Sequence, residues 1–332
     1  MNINNTLHIY PCIKIVKGVK RSALYDLQRC RIYTIPNSFS DLLDNGVFDV
    51  DHALLMYPQS SSIVYQYASF LIDNELARRC TPDTIFQEIE EQLYSPYLIT
   101  HAILDYDKTM SYSLEEAINE LSHMRCEGLK IRFFDIFPVE FLKKTFNLLH
   151  ETSIRGAEFI IQFDEKECDY RDLSILIDDN PRIQSIIISN TPSNYICNIN
   201  NLSHKLVFTH DSIISPDNCG IFDSSFLRPI QEFYQLSLNH NNCLYGLISI
   251  NRNGYICNCP SINRTFGHYK NTNLKEVIEN NQFLELWNIT KDKIDTCKKC
   301  ELRYACQDCR AFIADDKIGF AKPHKCHYLP NK

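Results

Sequence analysis

The sequence predicts an α/β protein in three parts: an N-terminal α+β module, a central β/α region forming a partial barrel or an open sheet, and a cysteine-rich C-terminal domain. Three observations carry this. Over residues 93–236, apolar β-type runs recur roughly every twenty-five to thirty residues with helical patterns between most of them, the signature of βαβ units and a parallel sheet. Over residues 1–92, short strand-like runs come first and helical patterns after them. Over residues 237–332, eight of the fifteen cysteines stand at ligand-like spacings. A chain of 332 residues is long enough for two or three domains, each burying a core.

In the first part, HIYPCIKIV, SALYDLQ and RIYTI are short runs rich in Ile, Val and Tyr, with Gly18 and Pro36 as punctuation. PNSFSDLLDNG offers Ser38 or Ser40 as a helix cap and Gly46 as a stop. A longer helix is predicted through SSIVYQYASFLIDNELARR, with Ile63, Tyr67, Phe70 and Leu71 as its apolar stripe. Strands followed by helices suit a winged-helix-like module, which could accept a peptide as an added strand at its sheet edge. A packing domain without a ligand reads equally well.

In the central part, YLITHAILDY, LKIRFFDIF, AEFIIQF, RIQSIIIS and HKLVFTHD are the predicted strands. Between them, SLEEAINELSHMR is a helix opened by Ser113 or Ser111, PVEFLKKTFNLLHETS has Pro138 at its first turn, and YRDLSILIDDN is a weaker helix. These strands are too few for a closed eight-stranded barrel. Cys126, Cys168, Cys197 and Cys219 have no pair spacing and read as core fillers, since free cysteine is among the most buried residue types. His101 and His123 read as satisfied core or surface histidines. Asp105 and Asp107 end a strand, where parallel sheets often place functional groups, and Asp135 is placed similarly.

Composition excludes several classes. A formal charge of −7 argues against a protein that works by neutralising phosphates, so no nucleic-acid partner is expected. The basic runs Lys14–Arg21 and Lys291–Lys299 read as solvated faces. Only nine glycines occur and none forms G-x-G, which removes the dinucleotide fingerprint and the phosphate-cradling loop. G-x-S-x-G is absent too. MNINNTLHIYP lacks the basic start and apolar core of a signal peptide, and no run approaches the ~20 apolar residues of a membrane helix. The expectation is a cytoplasmic protein with no membrane partner, whose dense cysteines serve metal or redox chemistry rather than disulfides.

The cysteine-rich end reads CLYGLISINRNGYICNCP (Cys243, Gly254, Cys257, Cys259), then CKKCELRYACQDCRAF (Cys297, Cys300, Cys306, Cys309), then KPHKCHYLP (Cys326). Turns of a few residues let Cys297, Cys300 and Cys306 face one centre. In compact runs the next cysteine can serve a second centre, as in two-cluster ferredoxins. That logic sends Cys309 to Cys243, Cys257 and Cys259, and leaves Cys326 to close the downstream site. Two interleaved sites would staple a small domain that has little core of its own. Four thiolates also make a structural zinc site, so spacing leaves both iron–sulfur and zinc open.

The pattern C-x10-G-x4-C (Cys243, Gly254, Cys259), then C-x2-C-x5-C-x2-C (Cys297, Cys300, Cys306, Cys309) and a final Cys326, resembles the SPASM domain, with one residue fewer before Cys309 than the commonest form. SPASM is the auxiliary-cluster module found behind radical S-adenosylmethionine enzymes that modify peptides. The resemblance implies two auxiliary [4Fe–4S] clusters, one on Cys243, Cys259 and Cys309, the other on Cys297, Cys300, Cys306 and Cys326. Cys257 is outside the family's seven cysteines but is the nearest thiol for the first cluster's vacant place. The radical motif C-x3-C-x2-C occurs nowhere, the loop DKTMSYS after YLITHAILDY has no cysteine, and the Gly-Gly-Glu element is missing. No S-adenosylmethionine is therefore expected, and the central region reads as a degenerate radical-enzyme barrel. PCIKIVKGVKRSALYDLQR, IPNSFSDLL, GLKIRFF, GYICNCPSI and CELRYACQDCRA are similar to the SPASM-domain peptide maturases of grasp-with-spasm systems. That resemblance implies a precursor peptide and an ATP-grasp ligase as partners. Whether the chain is itself an enzyme stays open: an accessory protein, a cluster-dependent redox enzyme and a zinc-stabilised scaffold are the three readings.

Overall fold

The computed structural model describes residues 5–80, 86–87, 96–164, 166, 170–198, 205–219, 223–313 and 320–330. The expected boundary between residues 92 and 93, Cys168 and the side chain of Cys197 lie outside them.

The N-terminal part opens with strands Thr6–Ile9 (β1), Ile13–Lys17 (β2), Arg21–Asp26 (β3) and Arg31–Pro36 (β4). Asn37–Ser40 (α1), Leu43–Asp44 (β5), Val47–Asp49 (β6), Val50–Met56 (α2), Ser61–Asp73 (α3) and Ala77–Arg79 (β7) follow. They build two antiparallel sheets, β5–β6–β1–β7 and β2–β3–β4. The run HIYPCIKIV breaks after Ile9 and serves both sheets. Gly46 (φ +76°) with Asn45 (φ +47°) makes the two-residue turn between β5 and β6, where positive φ at both positions matches the strand twist.

Two local expectations change here. Neither Ser38 nor Ser40 caps α1: the cap position is Pro36, and the buried Ser40 hydroxyl instead accepts from Ser22 Oγ at 2.8 Å, tying the turn to β3. The long helix ends at Asp73, after which Glu75 turns left-handed (φ +53°) and Ala77–Arg79 pair with β1. Its buried face is Val64, Ala68 and Leu71, while Ile63 is 44 % exposed. The stripe is set by which residues meet the small sheets, one position away from the expected start.

The centre is a mixed α/β fold around one eight-stranded, mostly parallel sheet. Its elements are His101–Tyr106 (β8), Leu114–His123 (α4), Gly128–Phe133 (β9), Val139–Asn147 (α5), Gly156–Gln162 (β10), Tyr170–Asp179 (α6), Ile183–Ser189 (β11), Tyr195–Asn198 (β12) and Lys205–Thr209 (β13). Gln231–Asn239 (α7), Leu247–Ile250 (β14), Ile256–Cys257 (β15), Leu274–Ile278 (α8) and Asn281–Leu284 (α9) complete the helices and strands among the described residues. The sheet order is β12–β13–β11–β10–β9–β8–β14–β15, parallel from β13 through β14 and antiparallel at both edges. Ser113 caps α4 by accepting from Glu116 N, and Pro138 precedes α5.

Alternation along the strands gives the sheet two unlike faces. Leu104, Ile131, Phe133, Phe159 and Ile161 meet Ala117, Ile118 and Leu121 of α4 and Leu142 and Phe146 of α5 in the main core. The other face carries ions: Lys130–Glu158 at 2.7 Å, and the buried fork Arg132–Asp105, whose two bonds are 2.6 and 2.9 Å long. β14 pairs with β8, so the cysteine-rich end is sewn directly into the sheet.

Candidate metal centre

Seven thiols line one cavity: Cys219, Cys243, Cys297, Cys300, Cys306, Cys309 and Cys326. Neighbourhood divides them, with Cys259, into two sets. Cys243 lies close enough to Cys259, Cys309 and Cys219 to feel their charge, and Cys219 also bears on Cys259 and Cys309. On the other side, Cys297, Cys300 and Cys306 bear on one another, and Cys326 on Cys306. Among the described residues, no three His, Cys, Asp or Glu side chains are gathered as a group that would hold a single metal ion.

The downstream set is made by tight local turns. Cys297–Lys299 is a short 3-10 turn closed by Cys300 N donating to Cys297 O at 2.9 Å. Cys300 Sγ accepts from Leu302 N, and Leu302 O accepts from both Ala305 and Cys306 N. Pro323 O accepts from Cys326 N at 3.1 Å. The Cys300–Cys306 loop is clamped to the N-terminal sheet. Tyr25 of β3 donates to Glu301 O at 2.8 Å, Val19 N to Lys299 O at 2.9 Å, and Arg303 Nη1 to Lys17 O at 2.8 Å. Arg21 and Tyr328 both donate to the buried Glu301 carboxylate. Gly18 admits this approach, since a Cβ there would stand 2.9 Å from Glu301 N.

The upstream set is assembled from distant segments. Asn241 turns the chain into Cys243, its Oδ1 accepting from Cys243 N and Leu244 N at 3.0 Å each. Gly254 makes the turn between β14 and β15 at φ +80°, and a Cβ there would stand 2.5 Å from Ser111 Oγ and 2.6 Å from His268 Nε2. Only glycine fits that turn, which explains its place in the C-x10-G-x4-C pattern.

Charge between the sets fits an anionic group. Asp308, between Cys306 and Cys309, is fully buried and accepts from Arg310 Nη2 at 2.8 Å and Asn241 Nδ2 at 2.9 Å, with Lys291 Nζ 3.6 Å away. Two buried cations thus share one carboxylate and leave a surplus positive charge beside the thiols. Burial alone would lower the Lys291 pKa, but Asp308, Cys306 and Cys297 hold it charged, above its ordinary value. Thiolates bound to metal would answer that surplus. Burial pushes the Cys297 and Cys259 thiols up to about 11 and Cys300 to about 12, so metal binding must displace their protons.

Of the eight cysteines singled out by spacing, seven stand in these two sets. Cys257 borders Cys259 but does not line the cavity: it is fully buried in β15, its thiol donates toward Ser249 O at 3.8 Å, and Asp105 and Arg132 are its other charged neighbours. Cys219 takes part instead, exposed at the cavity rather than filling the core. Its setting in SPDNCG, a run of turn-forming residues, was the available signal. Cys126 is a core filler, its thiol bonded to Gly128 O and pushed up to about 12 by burial. Burial raises the Asp105 carboxyl pKa against the pull of Arg132, and the fork occupies both its oxygens. Asp107 and Asp135 accept from loop amides, Thr109 N and Lys108 N. His101 is lowered by burial beside Thr100, and His123 closes the last turn of α4.

No protein-family model and no curated protein matches this chain. Among solved structures, Streptococcus suis SuiB aligns over 97 % of this chain and 100 % of its own at 11 % identity, with a TM-score of 0.35. SuiB bound to its precursor peptide SuiA aligns over the same shares at 9 % identity and a TM-score of 0.33. A likeness this weak carries no argument about function, which rests on the chain's own residues.

Proposed function

We propose that this chain is an iron–sulfur accessory protein in the maturation of a ribosomally made precursor peptide, acting with an ATP-grasp ligase. The observation supporting the metal part is the division of eight thiols into two sets of four beside a surplus buried cation. Cys297, Cys300, Cys306 and Cys326 would hold one [4Fe–4S] cluster. Cys243, Cys259 and Cys309, with a fourth thiol, would hold the other. Bound clusters would supply one-electron storage and a covalent tie between distant segments. The peptide and ligase partners rest on the motif resemblance. The winged-helix-like N-terminal module would take the peptide, with the outer strands β4 and β7 offering edges for strand addition. Its clamp on the Cys300–Cys306 loop would join peptide binding to the downstream set.

Anaerobic purification should give a brown protein with about eight irons per chain, the content of two four-iron clusters. Zinc without the iron–sulfur absorbance would establish the scaffold reading in its place. Co-expression of precursor and ligase, with and without this chain, followed by peptide mass measurement, tests the maturation role. An unchanged product on omission would remove it.

A further inference from the structure

We propose that Cys219, not Cys257, supplies the fourth thiolate of the upstream set, closing it as a four-thiolate site. This rests on the reading that the thiols hold metal and deepens it. Sequence distance favours Cys257, two residues from Cys259, but strand geometry opposes it. Cys257 ends β15 with its thiol against Ser249 O of β14, fully buried beside Cys259, Asp105 and Arg132, and the chain leaves the strand before Cys259. Turning it into the cavity would break the β14–β15 pairing of Ser249 with Cys257.

Cys219 is delivered to the cavity by a loop anchored on both sides of the site. Lys325 Nζ donates to Asp217 O at 2.8 Å and to Cys219 O, tying the loop to the segment that carries Cys326. Ser261 Oγ donates to Pro216 O at 2.9 Å, tying it to the segment that carries Cys259. Within the loop, Ser215 Oγ accepts from Asp217 N and Asn218 Nδ2 donates to Ser212 O. The result places Cys219 on the cavity wall with Cys243 and Cys309, and next to Cys259. A cluster bound by four thiolates has no vacant iron for a substrate. The upstream site would then carry electrons or hold the fold, which weighs against cluster-based chemistry on the peptide at that site.

The test compares the full chain with Cys219→Ala, Cys219→Ser and Cys257→Ala, each reconstituted anaerobically with iron and sulfide. Circular dichroism confirms the fold of each variant. Iron and sulfide per chain and the electron paramagnetic resonance of the dithionite-reduced and briefly oxidised protein are read. Expected is unchanged iron in Cys257→Ala. In Cys219→Ala, iron falls about twofold, or a three-iron signal appears on oxidation as the unprotected iron is lost. Full iron without that signal in Cys219→Ala overturns the assignment, as does loss in Cys257→Ala alone. If the wild-type chain carries zinc and no iron, the iron–sulfur reading fails. The same variants then test the ligand by zinc content: a fall from about two to about one in Cys219→Ala upholds Cys219, and no fall overturns it. A wild-type chain that binds neither metal overturns both.

Discussion

The two thiol sets share a cavity but are built in opposite ways. Three members of the downstream set lie within ten residues, Cys297 to Cys306, and short turns alone bring them together. The upstream set draws Cys219, Cys243, Cys259 and Cys309 from four separate stretches, each held by contacts made elsewhere: a doubly anchored loop, an Asn241 cap, a glycine hairpin and the CQDC turn. One set is a property of a short peptide, the other of the folded protein. Loop closure over long separations costs entropy that local turns avoid. The upstream set therefore depends on the sheet being formed, whereas the downstream set leans on the N-terminal clamp and on whatever the thiols bind.

Metal removal should break the comparison most strongly. Structural metal sites contribute on the order of 10 kcal/mol in small domains, and the Cys297–Cys309 stretch has only one short 3-10 turn of its own, Cys297–Lys299. Stripping iron with a chelator under reducing conditions should leave amides of β8–β11 protected from exchange while those of 297–309 lose protection by a factor of a hundred or more, on the order of 3 kcal/mol at 1.4 kcal/mol per tenfold. Equal protection before and after would show that neither set is held by metal.

Gly254→Ala should separate the sets. Positive φ costs a non-glycine residue about 1–2 kcal/mol, and the added Cβ meets Ser111 and His268. The upstream cluster should load to less than half its wild-type level, with the downstream signal kept. Equal loss from both clusters would mean that the hairpin does not serve the upstream set in particular.

Lys291→Met should act on the downstream set with the smallest effect. The buried Lys291 faces Asp308, Cys306, Cys297 and Arg310. Removing this cation disfavours adding an electron nearby, so the downstream cluster's reduction potential should fall while iron content stays the same. Potentiometric titration checks the direction. A rise in potential, or a shift confined to the upstream cluster, would contradict the placement of Lys291.

Much of the fold was legible because its signals are local. The β/α alternation from His101 to Thr209 follows apolar periodicity, and the Ser113 cap and the Gly254 turn follow residue chemistry that a few neighbours decide. The misreadings lie where a distant partner decides. Residues Ala77–Arg79 continue a helical pattern in sequence but become β7 because β1 offers an edge. Asp105 ends a strand as a functional acid would, yet Arg132 on the neighbouring strand takes both its oxygens.

The cysteines divide along the same line. Sequence alone determined the downstream run and the hairpin pattern, because turns of two to five residues can gather thiols without help from the rest of the chain. On the proposed assignment, only the tertiary structure decides the last upstream place. Cys257 stands nearest in sequence but its thiol is held against the backbone of β14, while Cys219, forty residues before Cys259, is brought in by Lys325 and Ser261. Side-chain direction and long-range anchoring depend on the folded backbone, and spacing does not encode them.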